Sequence, residues 1–264
     1  MDMSADDESD AADDPTDVGR KHVEWLIARM IDSRSASTAL NKYKGVQQFF
    51  NYLLECGEID RHPMEKLSQP DTPDKLVPVV SDDELTRLLE TCRGKSYRDR
   101  RDMAIIRLFL GTGARLTEVA NLKLADVDLR RDGVLVQGKG DRQRFIPFGE
   151  RTGQAISRYL RTRSRHPAAD SPYLFLAERG REPLKPNGIK IMIRRRGNAA
   201  DIPHMHAHRL RHTLSHVWQR EQGNESDLMA IMGWRSPEML AVAGRDVGDG
   251  GEGLGRGTGL SAAG

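Results

Sequence analysis

Four prolines, Pro63, Pro70, Pro73 and Pro78, fall close together in the first third of the chain. Each lacks a backbone N–H and fixes φ, so neither a helix nor a central strand runs through this stretch. With Asp71, Thr72 and Lys75 among them, residues 63–80 read as an interdomain linker. Such a linker allows two domains to close around a rod-like ligand. A length of 264 residues is enough for two modest domains.

Before the linker, residues 1–17 carry eight acids and no base, which reads as a disordered acidic tail. Residues 18–62 hold two helical patterns. Val23, Leu26, Ile27, Met30 and Ile31 recur at helical spacing, and Leu40, Tyr43, Val46, Phe49, Phe50, Leu53 and Leu54 follow to a stop at Gly57. The aromatic residues sit at core spacing. Arg34, Lys42 and Lys44 are candidates for contacts to a phosphate backbone.

After the linker, Ser81 and Glu84 form a capping box that opens a helix through Leu85, Leu88 and Leu89. Arg98–Leu110 carries a wide apolar set and is expected to be central to its domain. Gly111-Thr112-Gly113 ends it, and Arg115 opens the next helix, with Glu118 one turn on. The carboxylate either orients that guanidinium or forms an ordinary surface pair with it. Val134–Val136 and Arg144–Phe148 read as a β-hairpin with Lys139 at its glycine-flanked tip. Lys139 is a solvated turn lysine or one that reaches into a groove. A helix over Gln154–Arg165, a short strand over Tyr173–Leu176 and a helix over Asn187–Arg196 come next. The last ends in Arg194, Arg195 and Arg196, placed to meet their own helix dipole or a DNA backbone. Helices over His208–Gln222 and Asp227–Met232 follow, with a further helix start at Ser236-Pro237. Nine of the 21 residues from Gly244 onward are glycine, so residues 244–264 read as disordered. The fold class is mainly α with a small β-hairpin or sheet (α+β), in two domains.

The chemistry concentrates in His206-Ala207-His208-Arg209-Leu210-Arg211-His212-Thr213. On a helix, His208 and Arg211 share a face. Arginine forks onto two phosphate oxygens, and histidine exchanges a proton near neutrality, so the pair suits phosphoryl chemistry. The net charge of +2 conceals an asymmetry. Beyond the acidic tail, 41 basic side chains face 31 acidic ones, which suggests either a polyanionic partner or solubilising charge. Cys56 and Cys92 show no disulfide or metal spacing, and no apolar run approaches membrane-spanning length, so a cytoplasmic protein is expected. His204, His206, His208, His212 and His216 have the density of a zinc site but no acidic or thiol ligand among them.

Together, Thr112-Gly113-Ala114-Arg115-Leu116-Thr117-Glu118, Gly138-Lys139-Gly140, His208-x-x-Arg211 and Gly233-Trp234 resemble the tyrosine recombinase, or phage integrase, family. Each motif alone is common; four in this order are specific. The resemblance spans roughly residues 18–240. It implies a core-binding domain over 18–62, a catalytic domain over 81–243, and a C-shaped clamp on double-stranded DNA. In the family a homo-oligomer, a tetrameric synapse, assembles on that DNA. It implies that Arg115 and Arg211 grip the non-bridging oxygens of the scissile phosphate, that Lys139 protonates the leaving 5′ oxygen, and that His208 serves in proton transfer. Trp234 would stand where many members carry a second histidine. No metal or cofactor is implied, since the arginines supply the positive charge.

One departure is sharp. The family's nucleophile is a tyrosine about nine residues beyond the Trp234 position, and the residue there is Ala243. The tyrosines are Tyr43, Tyr52, Tyr97, Tyr159 and Tyr173, none of them in the last 91 residues. A shifted reading frame after Leu240, a selected or engineered alanine, and a tyrosine supplied by a partner chain each account for this; the first explains why the following amphipathic helix is also missing. A recombinase that has lost strand cleavage is expected, with a DNA-binding regulator occupying recombination sites as the alternative.

Overall fold

The computed structural model describes residues 14–71, 78–138 and 143–234. Its contacts divide the chain into two compact units, with the division between Lys75 and Leu76.

The first unit is built on α1 (Arg20–Ser33) and α2 (Ala36–Glu55). Ser35 caps α2 by accepting the Thr38 N–H through its hydroxyl. The helices pack against each other over Val23, Ile27, Tyr43 and Phe50. Met64 is buried in the same cluster, and the Tyr43 hydroxyl donates to the Leu67 carbonyl. Residues at the start of the expected linker therefore pack with this unit. Phe49 and Tyr52 point outward, although they lie on the same helix as the buried aromatics.

The second unit begins with α3 (Asp82–Glu90). The expected capping box is present: Ser81 Oγ accepts from Glu84 N–H at 3.2 Å, and Glu84 Oε2 accepts from Ser81 N–H at 2.9 Å. The end of the expected linker is also built in. Val80 is buried, its N–H donates to Thr213 Oγ1, and Arg209 binds the carbonyls of Pro78 and Val79.

α4 (Tyr97–Thr112) is central, as its apolar width predicts. Ala104, Ile105, Ile106, Leu108 and Phe109 are fully enclosed, and the helix packs against both α6 (Glu150–Arg163) and α8 (Ala207–Arg220). Gly113 ends it at φ +56° and redirects the chain into α5 (Leu116–Asn121).

The sheet is antiparallel in the order β1 (Val127–Asp128), β2 (Gly133–Gln137), β3 (Gln143–Pro147). The hairpin pairs Val134 with Ile146, Val136 with Arg144 and Gln137 with Gln143. The strand expected over Tyr173–Leu176 is replaced by isolated bridges, Lys123 to Tyr173 and Leu176 to Pro183. Leu174, Phe175 and Leu176 are consecutively buried, and the carbonyls of Tyr173 and Leu174 turn to Arg163 rather than to a strand. An apolar run alone does not separate these cases. α7 (Pro186–Ala199), α8 and α9 (Glu225–Met232) complete the described chain.

Candidate active site

Three arginines from three elements converge on the end of α9. Arg115 is the N-cap of α5, Arg144 lies on β3, and Arg211 lies on the first turns of α8. Each binds one of three successive carbonyls: Arg144 Nε donates to Ile231 O at 3.1 Å, Arg211 Nη2 to Met232 O at 2.6 Å, and Arg115 Nη2 to Gly233 O at 3.3 Å. The last carbonyls of a helix have no partner within it and carry its partial negative charge, so cations are favoured there. Gly233, at φ +60°, ends α9 with paired bonds from Gly233 N–H to Ala230 O and Trp234 N–H to Met229 O. This turn sets Trp234 beside Arg211, whose guanidinium carbon lies 5.7 Å from the indole centroid.

Glu118 is the counter-charge. Its side chain is 3% exposed and faces two of the guanidiniums. Arg144 forks onto both carboxylate oxygens at 2.9 Å each, Arg115 Nη1 reaches Oε1 at 3.1 Å, and the Arg115 backbone N–H reaches Oε2 at 2.7 Å. Burial alone would raise the Glu118 pKa, but the hydrogen bonds and charges of Arg144 and Arg115 outweigh it and hold the carboxyl below its usual range.

Arg211 is buried and, among the described residues, no carboxylate is bonded to it. It donates to the carbonyls of Gly113 and Met232. Burial and the repulsion of Arg115, opposed by Glu118, draw its pKa down to about 10. Three guanidiniums against one carboxylate leave a positive excess. Arg115 is the most open of them, its side chain 42% exposed. The arrangement suits a phosphate: forked N–H donors, fixed before the ligand arrives, at a site where their charge is only partly cancelled.

His208 stands one turn before Arg211, and its ring meets that of His212 edge-on with the two Nε2 atoms 3.1 Å apart. One of the two must donate, so at least one ring carries its proton on Nε2. Burial, then the charges of Arg211 and His206, lowers the His208 pKa. Burial, then His208 and Arg211, lowers that of His212 to about 4. Both rings are therefore neutral near pH 7, available to accept a proton or donate one hydrogen bond.

The structure thus brings together Arg115, His208, Arg211 and Trp234. Lys139 lies outside the described residues, between the paired strand ends Gln137 and Gln143, and Ala243 lies outside them as well. Arg34, Lys42 and Lys44 are exposed on the first unit. Of the arginines closing α7, only Arg194 is exposed without an ion pair among the described residues. Arg195 and Arg196 both bind Asp102, and Arg196 also binds Asp99 and the Thr91 carbonyl. Arg196 is buried, so the expectation that it meets a DNA backbone is corrected: its charge is spent inside the domain. Among the described residues no group of three or more His, Cys, Asp or Glu is placed to hold a metal ion. His208, His212 and His216 lie four apart on one face of α8, whereas His204 and His206 precede the helix.

Sequence reasoning missed Arg144. Its signal is phase: Arg144 is two residues from Ile146, which is fully buried, so both side chains leave the strand on the same face.

The sequence profile of the phage integrase family matches residues 78–242. The chain belongs to that family. Among tyrosine recombinase relatives, XerC of Shewanella oneidensis is 33% identical over 235 residues, covering 87% of this chain and 74% of the relative. XerC of Staphylococcus carnosus is 29% identical over 218 residues, covering 81% and 71%. Of solved structures, XerA recombinase superposes with a TM-score of 0.58 at 26% identity, over 88% of this chain and 80% of that one. The XerH site-specific recombinase on its palindromic difH substrate gives 0.74 at 18% identity, over 89% and 71%, a likeness of fold alone. Phage integrase membership makes this chain a tyrosine recombinase by descent, an enzyme family.

Proposed function

We propose that this chain binds double-stranded DNA at a recombination site and grips a backbone phosphate with Arg115 and Arg211, without cleaving the strand. The observation that carries the reading is the set of three converging guanidiniums that Glu118 only partly neutralises, with His208 at its edge. A phosphate entering here replaces carbonyl oxygens of α9 as acceptor and takes up the excess charge. Lys139, which falls between β2 and β3 in the sequence, would be the residue to protonate a leaving 5′ oxygen. His208 supplies a neutral imidazole for a proton or a hydrogen bond, and Trp234 contributes packing on Arg211.

Cleavage needs a nucleophile, and alanine at position 243 has no atom that attacks phosphorus. This favours occupancy of a site over strand exchange, the role of a DNA-binding regulator built on a recombinase. Arg34, Lys42, Lys44 and Arg194 are proposed contacts to the DNA backbone, and Arg195 joins them through the part of its side chain that remains exposed. Assembly on DNA as a homo-oligomer is proposed from family membership.

The test is fluorescence anisotropy of the full chain with a labelled random-sequence 40-bp duplex across a salt series, for the native chain and Arg115→Gln. Binding that falls steeply with salt, and is weakened about tenfold by the substitution, is the expected result. Absence of binding at low salt, or binding indifferent to Arg115→Gln, contradicts the reading.

A further inference from the structure

A second basic site lies in the same unit. α4 and α6 pack against each other, and each presents an arginine pair seven residues apart to the seam: Arg100 and Arg107 from α4, Arg151 and Arg158 from α6. Seven residues are nearly two helical turns, so each pair lies along one face. The four line a single cleft of about 220 Å³, with Met103 and Ala155 among its other walls.

No carboxylate answers these charges. Among the described residues, none of the four has an ion pair or a side-chain hydrogen bond. Arg93 and Gln154 also line the cleft, and they hold the neighbouring acids: Glu90 pairs with Arg93 at 2.6 Å, and Glu150 accepts from the Gln154 amide at 2.8 Å, so neither acid is bonded to the four arginines. The Cys92 thiol also lines the cleft, and burial raises its pKa, so it adds no negative charge at neutral pH. Like charges lining one cleft without a counter-ion repel one another, screened in part by water at the exposed Arg151 and Arg158, and a bound anion relieves that repulsion. Burial and the Arg151 charge lower the pKa of Arg107, in keeping with that repulsion.

We propose that the α4–α6 cleft binds a compact polyphosphate, a chain of two or three linked phosphate groups. Guanidiniums on opposing walls match the several acceptor oxygens of such a chain, each forking onto a pair. The size selects the ligand class. A helix about 10 Å across does not enter a cleft of this volume, whereas a triphosphate group does. The site is separate from the candidate active site, because none of its lining residues is among Arg115, Glu118, Arg144 and Arg211.

The test is isothermal titration calorimetry of the full chain with inorganic triphosphate at 150 mM NaCl. Saturable one-to-one binding is expected, weakened at least about tenfold in R107Q/R158Q and in R100Q/R151Q, and retained in R115Q. The two double variants guard against loss of fold in either, with circular dichroism as the check. Titration of a duplex into the same variants separates the sources of phosphate. Unchanged DNA affinity marks a free polyphosphate or the phosphate chain of a nucleotide as the ligand; affinity lost in parallel marks the DNA backbone. No saturable triphosphate binding, binding that survives both double variants, or binding lost equally in R115Q overturns the proposal. The first two outcomes leave the Arg115 reading untouched, because that reading is tested separately by duplex affinity in R115Q.

Discussion

Arg144 holds Glu118 through two parallel hydrogen bonds of 2.9 Å, each guanidinium nitrogen on its own carboxylate oxygen. The pair ties β3 to α5, and through Arg144 Nε to the Ile231 carbonyl it also ties the hairpin to α9. Arg115 and Arg144 are therefore positioned by a carboxylate, not merely gathered on a basic surface.

Glu118→Ala is expected to destabilise the second unit by about 3 kcal/mol, because removing one partner of a buried pair strands the other charges. For a unit of this size that is a fall in Tm of roughly 6–12 °C, read by differential scanning calorimetry. The pH dependence has a definite sign. The folded-state pKa of Glu118 is held below its ordinary value of 4.5. Its contribution is complete above that value and is lost as pH falls through the lowered one. The acid limb of the native Tm profile below pH 4.5 should be steeper than that of Glu118→Gln.

His212 makes a separable contribution at higher pH. Its pKa is lowered from 6.5 to about 4, so the folded protein resists a proton that the unfolded chain accepts. Stability from this group is complete above pH 6.5 and drains away as pH falls toward 4. His212→Gln should flatten the Tm profile in that window and leave it unchanged above pH 7. A His212 ring that titrates near 6.5 by NMR in the folded protein contradicts the account.

Gly113 is fixed by its neighbours as well as its backbone. At φ +56°, an added Cβ lies 2.8 Å from Met232 Sδ and 3.1 Å from Leu214 Cδ2. Gly113→Ala should cost about 1–2 kcal/mol from the left-handed backbone alone, and relief of the contact requires the buried Met232 and the partly buried Leu214 side chains to shift. Chemical denaturation should show the lower midpoint with an unchanged m-value.

Asp102 is fully buried and carries Arg101, Arg195 and Arg196. Asp102→Ala leaves three guanidiniums facing one another at the α4–α7 seam, and a loss of about 3–5 kcal/mol is expected. An urea titration that shows a loss below about 1 kcal/mol contradicts the assignment of Arg196 to a structural role.

Much of this was legible in the sequence. Helices with strong periodicity and explicit caps, α3 with Ser81 and Glu84 above all, lie close to where the pattern puts them. The hairpin follows from glycine-flanked alternation. Arg115, His208, Arg211 and Trp234 were singled out through motif order, which is one-dimensional information. Arg144 was not, because its role arises from a register that pairs β3 with β2 and turns one strand face toward α5. The same limit explains Arg196. A run of three arginines at a helix end looks solvated until the partner acid, Asp102, is brought to it from 94 positions away in the chain. The cleft arginines are legible only as pairs seven apart on two helices whose packing no local pattern states.

The most direct measurement of the central claim is retention of a labelled random-sequence duplex pool by the full chain, split between a native filter and a filter washed with SDS. The account predicts salt-sensitive retention on the native filter and none after SDS, because the Arg115–Arg211 site holds phosphate while position 243 offers no nucleophile. A DNA–protein adduct that survives SDS, with a phosphotyrosine found by mass spectrometry in this polypeptide, would contradict it.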